Sequence, residues 1–249
     1  SRLDRVGAIS AEDADRLVAL GVPSSHVTVT GDTRYDQVWA RAANVPAAAP
    51  LLDPLRSDRP TLVAGSTWPS DESKLLPAWT RIATERRGVR LIIAPHEPTP
   101  AHLEPIERWA AESRLQLRRL GSSNAADADV LLVDRVGVLG ELYSIADMAF
   151  VGGGFHSAGL HSVLEPAAFG VPVIFGPRHA MSRDATLLLD ADGAAAVDDA
   201  SGVAAMLRVW LTAPEARLAA GVAARAVVHR GLGADRRTFE LVLELLGGN

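Results

Sequence analysis

The densest grouping of residues able to do chemistry runs from Met148 to Pro166. An apolar run, Met148-Ala149-Phe150-Val151, ends in Gly152-Gly153-Gly154; a loop of small residues follows, and a helix is predicted to begin near Ser162. Glycines let a backbone approach a ligand closely, and a helix start offers unpaired N–H groups at the positive end of its dipole. That pairing suits a phosphate. The same glycines serve a tight strand-to-helix turn equally well, and their spacing is not the G-x-G-x-x-G dinucleotide fingerprint. Glu165 falls in the first turn of the helix, where the dipole stabilises a carboxylate whatever else it does. One turn from a phosphate site, it reads as an acceptor for two ribose hydroxyls. Pro166 costs little so early in a helix, because its missing N–H has no intrahelical acceptor there.

Four further loops share the position of this one, each following an apolar run. Gly65-Ser66-Thr67-Trp68 follows Thr61–Ala64, and its hydroxyls are candidates to line a ligand crevice, alongside a plainer N-cap at Ser70. Pro95-His96-Glu97-Pro98 follows Arg90–Ala94, and a histidine between prolines on a loop points outward, to function. Gly176-Pro177-Arg178-His179 follows Pro172–Phe175; Arg178 is either an anion contact or a solvated surface cation. Gly137-Val138-Leu139-Gly140-Glu141-Leu142 opens another helix, whose backbone amides could hold a base or a phosphate or simply enter the helix. The seven histidines show no H-x-x-x-H pair and cysteine is absent, so neither a metal site nor a disulfide framework is expected.

Elements that would position these loops are legible as an alternation. Predicted strands are His26–Thr30, Thr61–Ala64, Arg90–Ala94, Leu115–Leu120, Val130–Val133, Met148–Val151, Pro172–Phe175 and Ala194–Val197. Predicted helices are Ala11–Leu20, Asp71–Arg86, Ala101–Ser113, Leu139–Ala146, Val163–Phe169 and Ser182–Asp190, with two or three more between about Val203 and Leu246. Several strands are continuous apolar runs, as strands buried on both faces of a parallel sheet must be. The fold class is α/β: a doubly wound, Rossmann-like parallel sheet with helices on both faces, and all five loops at the strand ends of that one sheet. Pro46, Pro50, Pro54 and Pro60 mark a linker across Ala42–Pro60. The single helix-strand unit before it cannot bury a sheet by itself. Residues 1–45 are therefore expected to be the tail of a preceding domain, and 46–249 the nucleotide-binding domain. The formal net charge of −5 excludes a nucleic-acid backbone as partner, and no apolar run approaches the roughly 20 residues that span a bilayer.

Taken in order, Thr30-Gly31-Asp32-Thr33-Arg34-Tyr35-Asp36, Ala64-Gly65-Ser66-Thr67, Pro95-His96, Gly137 with Gly140-Glu141-Leu142, Gly152-Gly153-Gly154, His161-Ser162-Val163-Leu164-Glu165-Pro166 and Phe175-Gly176-Pro177 resemble the 3-deoxy-D-manno-octulosonic acid (Kdo) transferases, from about Val6 to about Asp190. The resemblance implies the C-terminal half of a GT-B fold. It implies transfer of Kdo from CMP-Kdo to a lipid A precursor in lipopolysaccharide biosynthesis, at the cytoplasmic face of the inner membrane, with peripheral membrane association of the full-length protein and no metal or other cofactor. By position, Gly152, Gly153, Gly154 and the amides near His161 and Ser162 would face the CMP phosphate, and Glu165 would bind the ribose. Ser66 and Thr67 would lie beside the donor, with His96 and Gly140-Glu141-Leu142 near phosphate and cytosine. The family's Gly-Asn-x-Lys-Phe-Asp stands here as Gly31-Asp32-Thr33-Arg34-Tyr35-Asp36, its Arg-His-Pro as Pro95-His96-Glu97, and its His-Asn as His161-Ser162. These departures leave room for another acceptor. The family's catalytic base is a glutamate of the N-terminal domain, so the resemblance implies that these residues alone are inactive. A GT-B transferase or epimerase using a UDP-sugar is the same-class alternative, and a non-catalytic nucleotide-binding module the alternative of a different class.

Overall fold

A computed structural model describes residues 3–45 and 50–247. The chain opens with β1 (Val6–Ala8), α1 (Ala11–Ala19), β2 (Val27–Val29) and α2 (Thr33–Ala43). Strands and helices then alternate: β3 (Thr61–Thr67), α3 (Pro69–Glu85), β4 (Arg90–Pro95), α4 (Pro100–Glu112), β5 (Leu117–Arg119), β6 (Val130–Leu132) and α5 (Leu139–Leu142). After these come β7 (Met148–Val151), α6 (Leu164–Ala168), β8 (Val173–Phe175), α7 (Arg183–Asp190) and β9 (Ala194–Ala196). Three helices close the chain, α8 (Ala200–Thr212), α9 (Pro214–Arg230) and α10 (Ala234–Gly247).

Strands β3 to β9 form one seven-stranded sheet in the order β5-β6-β4-β3-β7-β8-β9, and every pairing is parallel. The predicted doubly wound class is what the chain adopts. Side chains alternate across the strands, so Leu62, Ala64, Leu91, Ile93, Met148 and Phe150 meet Leu75, Trp79, Ile106 and Leu207 on one face. Val63, Ile92, Ala149, Val151 and Phe175 point to the other, against Leu52, Tyr143, Leu164, Leu188 and Val227. Apolar residues at consecutive strand positions are thus all used, which is why these strands read as unbroken apolar runs. Sheet order reverses beside β3: β4, β6 and β5 lie to one side, β7, β8 and β9 to the other. The loop after β3 leads to α3 on one face, while the loop after β7 leads to α6 on the opposite face. Such a switch point opens a crevice at the carboxyl ends of the two strands.

Differences from the predicted elements have local causes. Strand β1 was not predicted; it pairs in parallel with β2 in a separate two-stranded sheet. Helix α2 was not predicted either. Its Tyr35, Val38, Trp39 and Ala42 carry helical spacing and pack into the core with Leu164 and Val227. Of the predicted linker, Pro46 lies outside the described residues. From Pro50 onward the chain is packed rather than free: Leu52 and Leu55 are buried, and Arg90, itself buried, donates to the Leu55 carbonyl oxygen at 2.6 Å. Predicted helix Leu139–Ala146 breaks into α5 and a 3-10 turn at Tyr143–Ile145. The helix expected near Ser162 begins at Leu164 and has five residues.

Candidate functional site

At the switch point, backbones from three loops touch. A Cβ on Gly152 would lie 2.1 Å from the Ser66 carbonyl oxygen, and one on Gly154 would lie 2.3 Å from the Gly176 nitrogen. Gly153 adopts φ +89°, with the Gly159 carbonyl oxygen 2.1 Å from its would-be Cβ. No side chain fits at any of the three. Their amides are largely occupied as well. Gly152 donates to the Gly65 carbonyl at 2.9 Å, and Gly153 donates to Oδ2 of Asp71 at 2.8 Å. The fully buried Asp71 carboxylate also accepts from the Phe155 and Trp68 N–H groups, at 3.0 and 2.9 Å, so it ties the start of α3 to the glycine loop. The expected cap at Ser70 is therefore supplied by Asp71, with Pro69 as the first helical residue. Among the described residues, the N–H groups of Ser162 and Val163 are donated to no other residue. Among the described residues the Gly154 N–H likewise has no acceptor, so these three amides, rather than those of Gly152 and Gly153, are left to meet an anion.

The two hydroxyls that end β3 differ in their surroundings. Thr67 is 1% exposed and donates to Glu72 Oε1 at 2.9 Å, away from any ligand, while Ser66 is half-buried with φ +54°. Burial pushes the Glu72 carboxyl above the usual carboxylate range, against the pull of the Thr67 hydroxyl. Beside Ser66, four aromatic rings converge from three strand ends. Trp68 stacks on His156 with centroids 4.4 Å apart and meets His96 in a tilted contact at 4.6 Å, and His96 stacks on His161 at 4.4 Å. Trp68 Nε1 donates to His161 Nε2 at 3.1 Å, which requires that nitrogen to be unprotonated. Burial, and then the neighbouring His96, hold the His161 imidazole below its ordinary value, with Asp71 opposing, so the ring is neutral near pH 7 as that bond demands. His96 and His161 were found from sequence. Trp68, His156 and Asp71 were not, because only the folded loops bring them together.

Across the glycine loop stands Glu165, whose side chain is 28% exposed. Burial raises its carboxyl above the ordinary range, and the Arg41 guanidinium works against that. A Cβ on Gly140 would come within 3.9 Å of Glu165 Oε2, so these two sequence-predicted positions are neighbours in space. Their companions behave differently. Leu142 is fully buried in the core, and the Glu141 and Leu142 amides both donate to the Val138 carbonyl, at 3.2 and 3.3 Å. These amides close a helical turn and are not available to a base or phosphate. Arg178 is exposed; its N–H donates to the Gly154 carbonyl at 2.9 Å, and with His156, Ser157, Met181 and Ser182 it lines a cavity of about 360 Å³. Among the described residues, no group of three or more His, Cys, Asp or Glu side chains is placed to hold a metal ion.

Ser66, His96, Gly140, Gly152, Gly153, Gly154, His161, Ser162, Glu165 and Arg178 thus share one strand-end edge, while the side chains of Thr67 and Leu142 turn inward. The fold and this edge define a class: a Rossmann-like domain of the kind that forms the C-terminal half of GT-B glycosyltransferases. The chain is a sequence relative of the Kdo transferases. It is 31% identical to 3-deoxy-D-manno-octulosonic acid transferase of Bordetella pertussis over 98% of this chain and 57% of that protein. Identity is also 31% with the same-named enzyme of Chlamydophila psittaci, over 90% of this chain and 51% of that protein. The chain spans about half the length of these curated relatives. Among solved structures, the C-terminal CMP-Kdo binding domain of WaaA from Acinetobacter baumannii superposes with a TM-score of 0.64 at 24% identity, covering 78% of this chain and 98% of that domain. UDP-GlcNAc 2-epimerase from Neisseria meningitidis gives 0.68 at 16% identity, over 99% of this chain and 61% of that one. No family model matches the sequence.

Proposed function

We propose that this chain is the donor-binding part of a Kdo transferase, holding CMP-Kdo while Kdo passes to a lipid A precursor in lipopolysaccharide biosynthesis. What carries the proposal is the meeting of Glu165, Gly140, Ser66 and the glycine loop at the sheet's switch point, in a chain matched along nearly its whole length by Kdo transferases. Glu165 accepts hydrogen bonds from the ribose diol. The Ser162 and Val163 amides face the phosphate that departs as CMP, where donors fixed before the reaction stabilise the growing charge most effectively. His96, His161 and Ser66 line the same crevice beside the donor. No described residue is proposed as the base that deprotonates the acceptor hydroxyl. Acceptor binding, association with the cytoplasmic face of the inner membrane and catalysis without a metal belong to the proposal for the full-length protein. Among the described residues, no helix is long and apolar enough to cross a membrane.

A UDP-sugar donor is the second reading, favoured by the superposition on the UDP-GlcNAc epimerase. Titration with CMP and with UMP, followed by amide chemical shifts, separates the two. CMP is expected to bind in the micromolar to millimolar range, roughly −8 to −4 kcal/mol, and to shift the resonances around Glu165 and Ser162. A clear preference for UMP, or no response near Glu165, contradicts the CMP assignment.

A further inference from the structure

Arg41 belongs to α2, 124 residues away in sequence from Glu165, and its guanidinium Nη1 nevertheless lies 3.5 Å from Glu165 Oε1. Gly140 leaves room for the approach. A Cβ there would sit 3.2 Å from both Cδ and Nη1 of Arg41, closer than an undisturbed contact allows. Helix α2 is itself anchored through buried Tyr35 and Val38, so the Arg41 side chain starts from a fixed backbone. We propose that Arg41 is the positioning residue of the nucleoside end: threaded past Gly140, it pairs with the Glu165 carboxylate and presents both carboxylate oxygens to the two ribose hydroxyls.

The inference rests on the assignment of Glu165 to the ribose. An ionised carboxylate accepts from two hydroxyls at once, through charge-assisted bonds stronger than those to a neutral acid. Burial works against that ionised form, and Arg41 is the neighbouring charge that opposes the effect of burial. Of the titratable groups on the packed elements, the buried Tyr143 hydroxyl also interacts with Glu165; its own pKa is pushed far up, by burial first and by Glu165 second, so it stays neutral. Without Arg41, the Glu165 carboxyl takes up its proton at a higher pH and becomes a poorer partner for the diol.

The affinity ratio of CMP to 2′,3′-dideoxy-CMP, measured on the 249-residue chain from roughly pH 5 to roughly pH 8, isolates the diol contact, because titration of base and phosphate cancels. For the unaltered chain the ratio is expected to be about tenfold near neutrality and to fall toward one in acid. In Arg41→Gln the fall moves to higher pH, and Arg41→Lys restores the original profile. A profile for Arg41→Gln that superimposes on that of the unaltered chain overturns the inference. So does tighter CMP binding with an unmoved profile, since Arg41 would then be an obstruction. Glu165→Gln separates the two levels: a ratio that survives in this variant removes Glu165 from the ribose and the inference falls with it.

Discussion

Asp71 does at the residue scale what no single loop of this site could do for itself. One buried carboxylate takes three N–H groups, from Trp68, Gly153 and Phe155, and thereby holds the loops after β3 and β7 in register. Replacing it by alanine leaves three donors without their acceptor, that of Gly153 buried and those of Trp68 and Phe155 part-buried, at about 1–3 kcal/mol for a fully buried one. Asp71→Ala is therefore expected to lower the unfolding free energy by about 3 kcal/mol or more in urea titration; a loss under about 1 kcal/mol would show the loops to be held by other contacts. Glu165 could be found in the sequence because its chemistry is local, a carboxylate one turn from a glycine loop. Asp71 lies 82 residues from Gly153 and Arg41 lies 124 from Glu165, and neither separation leaves a pattern in the chain. Thr67 shows the converse error. It reads as a loop residue after Thr61–Ala64, but β3 runs on through an irregularity at Ser66 to end at Thr67, whose hydroxyl is buried and bonded to Glu72.

Elements were legible where their apolar pattern ran undisturbed, as in β3, β4, β7 and α3, and lost where a neighbouring signal was louder. Helix α2 had its spacing of Tyr35, Val38, Trp39 and Ala42 beside a cluster of prolines, and the prolines prevailed. That helix fastens the start of the chain to its end. Asp36 accepts from the Gly233, Ala234 and Asp235 N–H groups at 2.7, 2.9 and 3.2 Å, capping α10 from another element. Tyr35 donates to Asp184 at 2.8 Å, and Arg237 donates to the Thr30 carbonyl at 2.7 Å. The stretch Gly31-Asp32-Thr33-Arg34-Tyr35-Asp36, noticed first as part of a resemblance, is thus a clasp between α2, α7 and α10. Loss of a helix cap costs roughly 0.5–2 kcal/mol. Asp36→Ala is expected to fall in that range and to speed amide hydrogen exchange selectively along α10; exchange unchanged in α10 would contradict the capping role.

The whole molecule organises its chemistry by topology. A parallel sheet sends every loop that follows a strand to one edge, and the reversal of strand order beside β3 parts two of those loops to make room for a ligand. The gathering of the loops at one edge followed from the alternation of strand and helix, before any residue was placed; the place of the reversal did not. What did not follow was the division of labour along the edge: the glycines pack backbones together, the aromatic rings of Trp68, His96, His156 and His161 form one wall, and Glu165 with Arg41 forms the other. A second cavity of about 300 Å³, lined by Asp32, Tyr35, Arg183, Arg230 and Arg237, offers a nucleotide an alternative cationic home. The structure of the chain with CMP bound chooses between them. The account predicts the ribose hydroxyls within hydrogen-bonding distance of Glu165 and the phosphate on the Ser162 and Val163 amides. CMP seated among Arg183, Arg230 and Arg237, with Glu165 untouched, would contradict it.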